Sequence, residues 1–136
     1  MEQEDYVSFE VAKLLKRKGF NEICDAYYHN DSDDAYDGWL GDYRFEFCDY
    51  FKNEGNTYRD AAPTLYDAKK WLMDKKNIWV CVFPIYDKKY QIIDYRVRIS
   101  TYCDLEENKK GKLLPIWFEK YEQALDEGIK EALKMI

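Results

Sequence analysis

Apolar residues recur at helical spacing in "VSFEVAKLLKRKGF", residues 7–20, where Val11, Ala12, Leu14 and Leu15 form one stripe. Ser8 stands at the N-cap position, basic residues 16–18 suit the negative end of the helix dipole, and Gly19 can adopt the left-handed conformation that ends a helix. Phe20 then falls where a Schellman ending places its apolar contact. Because the glycine follows the helix, the segment is not a phosphate-binding loop. The period drops to two in "GDYRFEFCDYF", where Tyr43, Phe45 and Phe47 oppose Arg44, Glu46 and Cys48, as in a strand with one buried side. Between these blocks "NEICDAYY" has no clear period, and "KNEGNTYRD" after the strand reads as a loop around Gly55.

A second helix is expected in "APTLYDAKKWLMDKKN", with Thr64 and Asp67 as a capping box and Leu65, Ala68, Trp71 and Leu72 facing inward. "IWVCVF" follows, apolar on both faces and rich in β-branched residues, which predicts a central strand ending near Pro84. "YQIIDYRVRIS" alternates again, with Ile93, Tyr95, Val97 and Ile99 opposite Asp94, Arg96 and Arg98, and the short "YDKK" before it predicts an antiparallel hairpin. A last helix in "EKYEQALDEGIKEALKMI" carries Tyr121, Ala124, Leu125, Gly128, Ile129, Ala132, Leu133 and Ile136 on one side. Gly128 lowers helix propensity, and close approach to a neighbour on the packed face would offset that cost. Together these elements predict an α+β fold: a small, mainly antiparallel sheet from residues near 42–50, 78–84 and 90–100, with about three helices packed chiefly on one face. Residues 1–136 are expected to form a single domain, with mobile charged loops near 29–38 and 104–112.

Three of these blocks also carry a resemblance. "VSFEVAKLLKRKGF", "AAPTLYDAKKWLMDKKNI" and "YEQALDEGIKEAL", in that order, resemble a family of small uncharacterised proteins encoded by gut Bacteroidetes and by their phages and mobile elements. The resemblance implies a host or prophage context. It brings no activity, catalytic residue or cofactor with it.

Composition narrows the function classes. With 46% apolar and 18% aromatic residues the 136-residue chain can bury a core of its own. A balance of 21 basic against 27 acidic residues, formally −6, disfavours a protein built to wrap nucleic-acid phosphates. No apolar run approaches the roughly 18 residues of a membrane helix, and the opening "MEQEDYVSFE" has no signal-peptide pattern, so a cytoplasmic protein without membrane contact is expected. Cys24, Cys48, Cys81 and Cys103 form no C-x-x-C pair and are expected as free thiols.

The stretch "HNDSDDAYDG", residues 29–38, gathers four aspartates and the only histidine. An EF-hand loop needs oxygen ligands at its first, third and fifth positions, glycine at the sixth and glutamate at the twelfth. Starting at Asp33 places Asp37 and Gly38 correctly but puts Ala35 third and Arg44 twelfth; starting at Asp31 leaves Ala35 fifth and Tyr36 sixth. Neither register makes a calcium loop, and no metal or cofactor is expected. His29, alone or with Cys24, lacks an orienting partner for base or nucleophilic catalysis. Phosphate loops, H-E-x-x-H and G-x-S-x-G are absent from the sequence, so no catalytic residue is assigned.

The candidate contacts for nucleic acid are Arg96 and Arg98, with Lys88 and Lys89 in the hairpin turn, provided that exposed aromatic rings lie beside them. The expected function is a non-enzymatic binding or accessory protein, acting on another protein or on a second copy of itself. A nucleic-acid-binding accessory factor is the alternative, and an unrecognised enzyme a further one.

Calcium or zinc added to chelator-treated protein should leave its melting temperature essentially unchanged, because a metal bound only by the folded state would raise it by mass action. A saturable rise at micromolar metal, lost in the Asp33→Ala, Asp37→Ala double variant, would overturn the reading of the acidic stretch.

Overall fold

The computed structural model of the chain describes residues 1–30, 43–56, 58–106 and 111–136. Most of the acidic stretch, and with it both EF-hand-like registers, lies outside the described residues, as does the middle of the charged loop near 104–112. The fold is α+β, and the residues divide into two compact units, Met1–Thr64 and Leu65–Ile136.

In the first unit, helix α1 (Phe9–Arg17) begins as its sequence dictates: the Ser8 Oγ accepts a hydrogen bond from the Val11 amide at 3.3 Å. It ends in a Schellman motif, with the Gly19 amide bonded to the Lys16 carbonyl, the Phe20 amide to the Leu15 carbonyl and Gly19 at φ +92°. Strands β1 (Cys24–Asn30), β2 (Tyr43–Phe51) and β3 (Arg59–Ala61) form an antiparallel sheet in the order β2-β1-β3. The region that lacked a period is therefore the central strand. Its Ala26 and Tyr28 are buried, and His29 and Asn30 complete the strand rather than open a loop.

Tyr43, Phe45 and Phe47 share a face as the alternation predicts, and their rings meet those of Tyr6, Phe9 and Tyr28 at centroid separations of 4.4 to 5.6 Å. This face is not the expected buried side, however, since Tyr43 and Phe47 stay exposed and Phe45 is half-buried, while the buried Tyr6, Phe9 and Tyr28 lie beneath them. A buried asparagine ties the polar segment after β2 to this core. Asn53 donates from Nδ2 to the Phe20 carbonyl at 2.9 Å and accepts the Ala61 amide at 2.8 Å, satisfying two backbone groups that would otherwise be orphaned.

The second unit opens with α2 (Leu65–Lys76), which buries Leu65, Ala68, Trp71 and Leu72 as expected. It ends at Asn77, held at φ +55° in the left-handed region that asparagine tolerates. Strands β4 (Ile78–Tyr86) and β5 (Ile92–Thr101) make the expected hairpin, and β6 (Lys112–Leu113) adds to β5, giving the order β4-β5-β6. The short helix α3 (Tyr102–Glu106) follows β5 directly, and α4 (Tyr121–Lys134) closes the unit.

Two expectations need correction here. The strands near 42–50, 78–84 and 90–100 do not share one sheet, since β2 belongs to the first unit's sheet and β4 and β5 to the second's. Nor is "IWVCVF" a central strand: β4 lies at the edge and continues through Pro84, which an edge position tolerates because a proline has no amide to pair.

Helix α4 packs on β4 and β5 with Leu125, Ile129, Ala132 and Leu133 buried, whereas Tyr121 and Ile136, at the two ends of the expected stripe, are exposed. Its apolar stripe is thus occupied within the chain and is not left as a dimer surface. At Gly128 the approach is so close that a β-carbon would lie 2.6 Å from a methyl carbon of Val80 and 2.6 Å from one of Val97. Both neighbours are β-branched and stiff, so neither can swing aside.

Gly128→Ala should therefore destabilise the protein by about 1–3 kcal/mol through overpacking, even though alanine is the better helix former by about 1 kcal/mol. Leu133→Ala should cost about 2–5 kcal/mol through lost burial and the cavity left behind. Denaturant unfolding measures both, and a Gly128→Ala variant more stable than the parent would contradict the packing described.

Candidate functional site

Cross-strand register sorts the side chains of the second sheet. Val80 opposes Ile99 and Val82 opposes Val97 on the face that α4 covers, whereas Cys81 opposes Arg98 and Phe83 opposes Arg96 on the other. Leu113 of β6 also opposes Arg98. This second face is left partly open: Cys81 and Leu113 are exposed and Phe83, Arg96 and Arg98 are half-buried.

Both arginines lie against aromatic rings. The guanidinium carbon of Arg96 is 5.5 Å from the centre of the Trp117 ring, and that of Arg98 is 5.6 Å from the centre of Phe83, distances at which a cation gains from the ring quadrupole. Trp117 is 52% exposed. Arg96 also donates from Nη2 to the Leu114 carbonyl at 2.9 Å, which fixes it to the strand-like segment following β6. Neither arginine is paired with a carboxylate among the described residues, and the Nε of each is buried without a hydrogen-bond partner. A guanidinium is permanently charged, so a half-buried one without an anion is a cost the fold retains.

Sequence reasoning found the arginines but not their rings. Trp117 comes from "LLPIWF", a stretch without periodicity, and only its isolated aromatic content could have marked it.

Lys88 and Lys89 occupy the exposed tip of the β4–β5 hairpin, where the Asp87 carboxylate accepts the Lys89 and Gln91 amides at 2.8 and 2.9 Å. Tyr90 completes this turn at φ +61°, a conformation uncommon for a bulky side chain. Its ring is 89% exposed and so gains nothing in return from burial. Glycine would fill the position without strain.

On the first sheet, the face opposite the aromatic cluster is polar. The Tyr27 hydroxyl donates to Glu46 at 2.6 Å, Arg59 lies 5.2 Å from the centre of the Tyr27 ring, and Arg44 Nη2 is 3.0 Å from His29 Nδ1. Cys24 is buried five residues away on the same strand, about 16 Å at the rise of an extended chain, so the two do not form a nucleophile–base pair. The hydrogen bond from Tyr27 holds the Glu46 carboxyl below the usual carboxylate range, helped by Arg44, His29 and Arg59. The same bond, with some desolvation, raises the Tyr27 phenol.

All four cysteines are free thiols, and burial pushes that of Cys48 up. Among the described residues no three of His, Cys, Asp and Glu are grouped to hold a metal ion, and no helix is long and apolar enough to cross a membrane. The overall charge conceals an uneven distribution. Residues 65–136 contain 14 Lys and Arg against 12 Asp and Glu, a net +2, whereas residues 1–64 contain 7 against 15, a net −8.

Since the folded pKa of Glu46 is lowered, its bond to Tyr27 adds stability at pH values above the carboxylate's ordinary pKa, and this is lost as pH falls through the lowered one. For Tyr27, raised in the fold, the contribution is present below the ordinary phenol pKa and is lost as pH rises through the raised one. Tyr27→Phe should move the Glu46 titration upward, as read from its side-chain carbonyl carbon by NMR. An unchanged titration would show that the bond does not hold in solution. Compared with protein-family models, with curated proteins and with solved structures, the chain has no match.

Proposed function

We propose that the protein is a non-enzymatic binding protein of the cytoplasm whose working surface is the partly open face of the second sheet, and that it acts on another protein. One observation carries this reading: Arg96 and Arg98 lie against Trp117 and Phe83 without a carboxylate partner among the described residues, and the exposed Leu113 stands opposite Arg98. Tryptophan, tyrosine and arginine are the residues that most often dominate protein–protein binding energy, and they do so where apolar neighbours exclude water around them. The aliphatic Leu113 favours a protein partner over phosphates and bases, which have little use for it. Tyr90 agrees with this reading, since a strained, exposed ring at a hairpin tip is better explained by a contact with a partner than by folding. The host or prophage setting implied by the family resemblance belongs to the same proposal and gives the partner no chemistry.

A second reading, single-stranded nucleic acid, is favoured by the local +2 charge and by the exposed rings beside the cations. The net −6 of the chain opposes it.

Affinity capture from a lysate of the source organism should yield a bound protein that is lost with Arg98→Glu and with Trp117→Ala but kept with Lys134→Ala. In parallel, fluorescence anisotropy with labelled single-stranded DNA and RNA in about 150 mM salt should give dissociation constants weaker than about 1 μM. Tighter binding that falls steeply with salt and weakens on Arg96→Ala and Arg98→Ala would transfer the function to the second reading.

A further inference from the structure

We propose that Arg96 and Arg98 form a paired carboxylate receptor that takes an acidic protein segment in extended conformation. The inference rests on reading this face as a protein-binding surface and names the chemistry of the partner. Three observations carry it. The two guanidinium groups stand two residues apart on one face of β5, so their origins are separated by about 6.6 Å, the repeat at which an extended peptide presents alternate side chains. Each is braced by a ring, Arg96 by Trp117 and Arg98 by Phe83, so little side-chain freedom remains to be lost on binding.

Neither arginine has an anionic partner among the described residues, and Arg98 has no hydrogen-bond partner there at all. Asp94, the one acid that the register places on this face of the hairpin strands, is not ion-paired with either. A carboxylate on each terminal guanidinium edge would supply the missing charge and two parallel hydrogen bonds. Glutamates at alternate positions of the partner meet this pair, and flanking apolar residues can settle on Trp117 and Leu113, both exposed.

The test is an NMR titration of the isotope-labelled full chain with three probes: a blocked heptapeptide Leu-Ser-Glu-Ser-Glu-Ser-Leu, its analogue with glutamine for both glutamates, and oligo(dT). The glutamate peptide should shift the side-chain signals of Arg96 and Arg98 and the Trp117 indole saturably. The glutamine analogue should bind at least about tenfold more weakly, since hydrogen bonds to charged groups exceed neutral ones by that order. Arg98→Gln should abolish the response. Should Arg98→Gln not fold, Arg98→Lys keeps the charge but not the fork, and should weaken binding.

Equal affinity for the two peptides would overturn the carboxylate receptor while leaving a protein-binding face based on apolar contact. Binding of oligo(dT) alone would overturn both this inference and the reading it rests on. Absence of binding by all three would overturn the receptor.

Discussion

Everything the second unit presents to its surroundings follows from how closely α4 lies on the sheet. Gly128 removes the β-carbon at the point where Val80 and Val97 would meet it, and this lets Ile129 and Leu133 reach full burial. The helix backbone at Gly128 then rests on the valine methyl groups of β4 and β5, and the core of the unit is defined by the side chains that point toward α4. Strand alternation does the rest. Once Val80, Val97 and Ile99 are assigned to the helix side, Cys81, Phe83, Arg96 and Arg98 have no other place than the opposite face. The candidate binding surface is the geometric complement of the core.

That complement is energetically uneven. Rings and arginine stems cover one another, which keeps apolar surface from water and orders the guanidinium groups, yet the buried Nε atoms gain no hydrogen bond from it. The packing of α4 lies on the opposite face of the sheet from these arginines, so this cost is separate from the packing that builds the core. The first unit shows the contrasting arrangement: on its polar face Tyr27, Glu46, His29 and Arg44 hydrogen-bond in pairs, and the charges there are largely spent on the sheet itself.

The helices were legible in the sequence because their signals are local. Ser8, Gly19 and Phe20 specify the limits of α1 with no help from tertiary structure, and the stripe of α4 repeats over enough turns to be unambiguous. Strands β1 and β3 were not legible. β1 mixes the small Ala26 with Asp25 and His29, so its alternation is faint, and β3 is three residues long inside a polar stretch. The misreading of β4 is the more instructive. Its apolar residues on both faces are the usual mark of a central strand, but Phe83 and Cys81 are apolar because they belong to the open face beside the arginines. Apolarity in excess of what the core requires was already a trace of the candidate site, though its sequence pattern cannot be told from that of burial. Trp117 could not be assigned at all, because what places it over Arg96 is the return of the segment after β6 along β5, a non-local event.

The edge position of β4 has a consequence for how this molecule behaves among its own kind. A nine-residue edge strand with apolar side chains is a template for sheet-to-sheet growth. Pro84 withholds an amide from that edge, and the irregularity between Ile85 and Tyr86 bends the strand where it nears the hairpin tip. A second strand could not run the length of β4 in register. Growth of sheet upon sheet along β4 is thus interrupted in the strand's own backbone, on the same strand that contributes Cys81 and Phe83 to the open face.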